Sequence, residues 1–167
     1  MRIGLGYDNH RLVQGRTLYL GGVAIPAAVG AEAHSDGDVL IHALVDALLG
    51  AIGAGDIGTQ FPDTDPRWKD QPSRIFLERA AAMACERGYR LENVDATVIL
   101  EAVKLRELKA AIARSLRQLL APWHPLPEGA VSVKAKTNEG CDAVGEGRAV
   151  AALVAVLLSA LPESSRA

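Results

Sequence analysis

Between Gly37 and Ile52 the chain is apolar at Val39, Leu40, Ile41, Ala43, Leu44, Val45, Ala47, Leu48 and Leu49, so a helix there must be buried on nearly every side. Its polar exceptions are Asp38, His42 and Asp46, at i, i+4 and i+8, which stack on one face as an acid–histidine–acid column. Buried polar groups need partners. Either His42 bonds a neighbouring acid, or one ring nitrogen binds a metal while the other donates to a supporting acid such as Asp46.

A second set of ligand types stands at the end of the first predicted strand, Arg2 to Tyr7, which runs into Asp8-Asn9-His10. A period of two puts Asp8 and His10 on one side of the chain, facing one metal or sitting in an ordinary turn. With His42 they make two imidazoles and a carboxylate, three ligands that leave the fourth tetrahedral position of zinc open, as catalytic sites do.

Three loops carry further candidates. Ala33-His34-Ser35-Asp36-Gly37-Asp38 places a hydroxyl and an imidazole at a helix N-terminus, a place that favours anions and equally an N-cap. The segment Asp56 to Pro66 is acidic and rich in turn formers, a connection or a lid. Lys134-Ala135-Lys136-Thr137-Asn138-Glu139-Gly140 opens a strand into a loop whose amides, Thr137 and lysines suit phosphates and whose Glu139 suits a hard cation. Gly140 to Gly147 lacks the Lys-Ser/Thr ending of a P-loop and Gly4-Leu5-Gly6 lacks the third glycine of a dinucleotide fingerprint, so neither ATP nor NAD is expected. His124, between Pro122 and Pro125, reads as a surface turn residue.

The remaining elements follow from periodicity. Thr17 to Ile25, split by Gly21-Gly22, Asp95 to Leu100 and Ala130 to Thr137 read as strands, for a working count of four. Ser73 to Arg87, capped by Ser73, and Leu105 to Leu120, with Lys104, Arg106, Lys109, Arg114 and Arg117 facing solvent, read as helices. Ala149 to Leu161 holds 13 residues without a charge, short of the roughly 20 that cross a bilayer, and reads as a buried helix covered by a second subunit or by a monomer's own core. The expected fold is a two-layer α+β single domain over residues 1–167, a four-stranded mixed sheet with helices packed on one face. The 18 basic and 20 acidic residues net to −2, which predicts neither a nucleic-acid nor a membrane partner. Two unpaired-looking cysteines, Cys85 and Cys141, and a start without a signal-peptide pattern predict the reducing cytoplasm.

Gly-Tyr-Asp-Asn-His at 6–10, Ala-His-Ser-Asp-Gly-Asp at 33–38, the His-Ala-Leu-Val-Asp-Ala-Leu-Leu-Gly that follows, Gly-Asp-Ile-Gly and Phe-Pro-Asp-Thr-Asp-Pro occur in one order along nearly the whole chain. In this the sequence resembles the cyclodiphosphate synthases of the non-mevalonate isoprenoid pathway. The resemblance implies a homotrimer with active sites shared between subunits, one zinc ion, and one magnesium or manganese ion. It implies a phosphorus–oxygen lyase that converts 4-diphosphocytidyl-2-C-methyl-D-erythritol 2-phosphate into the 2,4-cyclodiphosphate and CMP. By the same resemblance Asp8, His10 and His42 hold zinc, and His34 and Ser35 hold the substrate phosphate and act with Lys136 and Thr137 in catalysis. Asp56 and Gly58 contact the erythritol portion, and Asp63 and Asp65 belong to the adjoining loop. Leu100, Val103, Lys104, Leu105, Lys136 and Thr137 form the cytidine-diphosphate pocket, and Glu139 holds the second metal.

The chain departs from many members at Val103, where they carry proline, at Lys136, where they carry threonine, and in the run after Glu139. Two rivals remain at the level of residues alone: a zinc hydrolase, served equally by an open metal position, and a non-catalytic trimeric binding protein with structural zinc.

Overall fold

A computed structural model describes residues 1–33 and 35–162. The first strand, β1 (Arg2–Gln14), runs well past the expected Tyr7, so Asp8 and His10 lie within a strand and not in a turn. Three short strands follow, β2 (Leu18–Leu20), β3 (Val23–Ile25) and β4 (Val29–Ala31), and then the helix α1 (Val39–Ala51). After α1 come the single turn α2 (Ile57–Gln60), α3 (Ser73–Glu86) and β5 (Tyr89–Ile99). The chain then forms α4 (Lys109–Leu120), β6 (Val131–Lys136), the single turn α5 (Asp142–Gly145) and β7 (Ala149–Ala160).

The main sheet has five strands in the order β4-β1-β7-β5-β6, with β5 and β6 parallel and the other pairs antiparallel; β2 and β3 form a separate ribbon. This corrects the count of four, and it corrects the last element, which is a strand. In β7, Val150, Ala152, Val154, Val156 and Leu158 are buried against the helices, a period of two that a run of apolar residues had concealed. The intervening Leu153 is exposed, as are Ile3, Leu5 and Tyr7 of the neighbouring β1, so one sheet face carries the helices and the other presents apolar side chains.

The helical layer is held close by two glycines. A Cβ on Gly6 would stand 1.9 Å from the Ala43 carbonyl oxygen, and one on Gly4 1.8 Å from that of Ala47. Two strand residues advance about 6.8 Å and one helical turn about 5.4 Å, so α1 runs antiparallel to β1 nearly in step. Gly4 and Gly6 accept the helix backbone, and beyond them Asp8 and His10, on the same strand face, reach the level of His42.

Asp38 is fully buried and caps α1, accepting from Ile41 N at 3.0 Å; it also accepts from Gly21 N at 2.9 Å and Gly22 N at 2.6 Å. Gly21 and Gly22 both have positive φ and close the β2–β3 hairpin, so one carboxylate ties a hairpin turn to a helix start. Burial pushes the Asp38 carboxyl upward, and the three amides oppose that.

His124 is buried, not on the surface. Its Nδ1 accepts from Leu91 N at 3.2 Å, its Nε2 donates to the Ala81 carbonyl at 3.1 Å, and burial lowers its pKa, so it fastens α3 to β5 as a neutral ring. Cys85 donates to the Trp123 carbonyl at 3.3 Å, and burial raises its pKa, which leaves it a structural thiol.

Candidate active site

The three residues taken from β1 and α1 converge. His42 Nδ1 is 3.1 Å from both His10 Nε2 and Asp8 Oδ2, and His10 Nε2 is 3.2 Å from Asp8 Oδ2. Zinc–ligand bonds of about 2.0–2.1 Å place the donors of a tetrahedral site about 3.3 Å apart, so these atoms outline nearly one face of such a tetrahedron. Two imidazole nitrogens and a carboxylate oxygen crowded together need a shared cation or proton, and the donor set fits a divalent metal. All three side chains keep partial exposure, between 12% and 27%, so the cluster is reachable from solvent. Burial opposes ionisation of Asp8, but its hydrogen bonds and charge interactions with His10 and His42 more than offset this and hold its pKa at about 2. Its carboxylate is therefore held as the anion, the form that ligates a cation.

Asp46, expected to receive the second nitrogen of His42, accepts instead from Ile57 N at 2.7 Å and anchors α2. Burial raises its pKa, the Ile57 amide lowers it, and the nearby Asp56 raises it. The partner of His42 Nε2 is the Ser73 hydroxyl at 2.8 Å, which also bonds the Asp36 carboxylate. Ser73 therefore does not cap α3; Pro72 occupies the cap position without a side-chain bond. Nothing in local spacing marks this link, which joins residues 31 and 37 positions apart.

The loop before α1 is braced by Arg16, which donates to the Ala33 carbonyl at 2.9 Å and the Ser35 carbonyl at 3.2 Å. Ser35 Oγ accepts from Gly37 N at 3.1 Å; His34 lies outside the described residues. Asp56 caps α2 by accepting from Thr59 N at 2.8 Å and Thr59 Oγ1 at 2.7 Å, and those bonds lower its pKa. Gly58 lies within α2, Asp63 follows in the loop, and Asp65 is paired with the Arg67 guanidinium at 2.6 Å. The segment is no free flap, since Phe61 is buried in an aromatic cluster with Trp68 and Phe76, ring centroids 5.0 and 5.1 Å away.

A cavity of about 400 Å³ is lined by Leu100, Val103, Lys104, Leu105, Lys136 and Thr137, the six residues read as a nucleotide pocket. Arg106, Lys109 and Ala135 line it as well; the first two belong to the stripe expected to face solvent, so sequence reading missed that their charge borders a cavity. Register places it: Asn9 pairs with Ala151, Ala151 with Ile99 and Ile99 with Lys136. Metal cluster and cavity therefore share one end of the sheet, three strand spacings or about 14 Å apart. Glu139 is not part of the Asp8–His10–His42 cluster; it accepts from Thr137 Oγ1 at 2.5 Å on a backbone with φ of 50°.

Residues 1–159 match the model of the YgbB family. The chain belongs to that family. Among YgbB relatives, the 2-C-methyl-D-erythritol 2,4-cyclodiphosphate synthase of Desulfosudis oleivorans is 51% identical over 158 residues, covering 95% of this chain and 92% of its own length. The synthase of the same name from Gloeobacter violaceus is 52% identical over 158 residues, covering 95% and 94%. A solved structure of such a synthase in a CDP-bound form superposes with a TM-score of 0.86 at 45% identity, over 95% of this chain and 100% of that one. Among the described residues no helix is long and apolar enough to cross a membrane.

Proposed function

We propose that the chain is a zinc-dependent phosphorus–oxygen lyase of isoprenoid precursor biosynthesis. It converts 4-diphosphocytidyl-2-C-methyl-D-erythritol 2-phosphate into 2-C-methyl-D-erythritol 2,4-cyclodiphosphate and CMP. The observation that carries this is the three-donor cluster at tetrahedral spacing, on the same sheet end as a lysine-lined cavity, in a chain about half identical to synthases of that name.

An oxygen of the substrate's 2-phosphate attacks the β-phosphorus, and the bond from that phosphorus to the oxygen bridging to the α-phosphate breaks, with CMP carrying away the electron pair. The nucleophile is already anionic, so no side-chain base is required and catalysis reduces to positioning and charge neutralisation. Asp8, His10 and His42 would hold zinc, which would supply a Lewis acid for the β-phosphate. Glu139 would hold a magnesium or manganese ion, which would supply positive charge near the departing CMP. His34 and Ser35 bind phosphate, with the Ser35 backbone fixed by Arg16. Asp56 and Gly58, braced from Asp46 through α2, contact the erythritol hydroxyls; Asp63 and Asp65 border them. Leu100, Val103 and Leu105 face the cytosine, while Lys104, Lys136 and Thr137 hold its diphosphate. The ordered Phe61 loop excludes water, the competing nucleophile.

The apolar face of β1 and β7, with Ile3 77% and Leu5 66% exposed, supports assembly as a homotrimer about that face. In it the cavity of one chain serves the metal cluster of its neighbour, in the cytoplasm where Cys85 and Cys141 remain free thiols.

Phosphorus NMR of the protein with the cytidyl substrate and magnesium, before and after zinc is stripped and restored, is expected to show a cyclic diphosphate and CMP only with zinc. A linear bisphosphate would identify a hydrolase, and no turnover a binding protein. The shared site has its own test, in which inactive His42→Ala and Lys104→Glu chains are denatured together and reassembled. Random assortment restores about one quarter of the sites if each is built from two chains, and none if each chain is self-sufficient.

A further inference from the structure

Ser73 is fully buried at the start of α3, and its hydroxyl, with a single proton, stands between the Asp36 carboxylate and His42 Nε2 at 2.8 Å. A carboxylate only accepts, so the hydroxyl proton goes to Asp36 and the Ser73 oxygen turns a lone pair toward His42. His42 Nε2 must then carry the ring proton, and in a neutral imidazole that leaves Nδ1 with its lone pair free. Nδ1 is the nitrogen that faces Asp8 Oδ2 and His10 Nε2, at 3.1 Å from each.

We propose that Ser73 is a positioning residue that selects the Nε2-protonated tautomer of His42 and so presents Nδ1 to the bound cation, with Asp36 fixing the direction of the Ser73 proton. The inference rests on the reading of Asp8, His10 and His42 as a zinc site. Asp36 is itself held in place, since it accepts from Ser73 N at 3.2 Å and from Asp38 N at 3.3 Å. The chain Asp36–Ser73–His42 thus crosses from the loop ahead of α1, through the first residue of α3, to the first turn of α1. It satisfies the ring nitrogen through a neutral hydroxyl, with the Asp36 carboxylate one group further away.

The test uses the zinc-loaded full chain. Long-range proton–nitrogen correlation spectra of the parent are expected to place the His42 proton on Nε2 and the metal on Nδ1; a metal on Nε2 overturns the proposal whatever any variant does. In chelator competition Ser73→Ala is expected to bind zinc about 10–100-fold more weakly, with the far-ultraviolet circular dichroism of the parent. Affinity within about twofold of the parent overturns the role of Ser73. A His42→Ala control separates the two readings. If it binds zinc as tightly as the parent, the cluster itself has been misassigned; if it loses zinc while Ser73→Ala does not, only the positioning role fails.

Discussion

Replacing His42 by alanine is expected to remove zinc and activity together while leaving the fold in place. Metal-binding free energies of about 10–16 kcal/mol for four-ligand sites imply a few kcal/mol per ligand, so loss of one nitrogen weakens zinc binding by about two to three orders of magnitude. The two groups left behind, Asp8 and His10, are 3.2 Å apart and can share a proton in the cation's place. The helix tolerates the change: α1 is buried through ten other residues, and alanine is the better helix former. Metal analysis of the purified variant, paired with circular dichroism and a turnover assay, checks this. A variant that turns over substrate without zinc would remove His42 from the site.

The second large effect belongs to a residue with no side chain. Gly6→Ala is expected to cost about 3 kcal/mol or more, or to prevent folding, because the new Cβ falls 1.9 Å from the Ala43 carbonyl oxygen and 2.7 Å from Ala47 N. Both are helix backbone, so no rotamer change relieves the clash and α1 must lift from the sheet. That movement also carries His42 away from Asp8 and His10, so any folded fraction loses metal affinity as well as stability. Gly50→Ala is the control, since Gly50 lies in α1 with nothing within 4 Å of a built Cβ and gains about 0.5–1 kcal/mol of helix propensity. Urea midpoints of the two variants should move in opposite directions; equal shifts would mean that the helix–strand approach at Gly6 is not close.

Much of the site was legible because it is written in short-range periodicity. The spacing of Asp8 and His10 by two, and the lone polar column on an apolar helix, need only the repeat of a strand and of a helix to place ligands on a face. The cavity residues carry no such repeat: they lie at neighbouring ends of β5 and β6 and in the segment between β5 and α4, and family resemblance, not periodicity, grouped Leu100, Val103, Lys104 and Leu105 with Lys136 and Thr137. The final element was not legible in this way. An uncharged run such as Ala149–Ala160 satisfies the burial pattern of either a helix or a central strand, and only its pairing with β1 on one side and β5 on the other makes it a strand.

The sequence by itself determined the faces of β1 and α1 and the chemistry they bring, two imidazoles and a carboxylate for a metal, and an almost uncharged last segment. Tertiary structure decided who partners whom. Asp38, His42 and Asp46 look alike in spacing, yet Asp38 went to a hairpin turn, Asp46 to the amide of α2, and His42 to a serine 31 residues away. The physical reason is that periodicity fixes the direction of a side chain relative to its own element. A hydrogen-bond partner depends instead on which distant segment is brought within about 3 Å of it, and that is settled only when the layers pack.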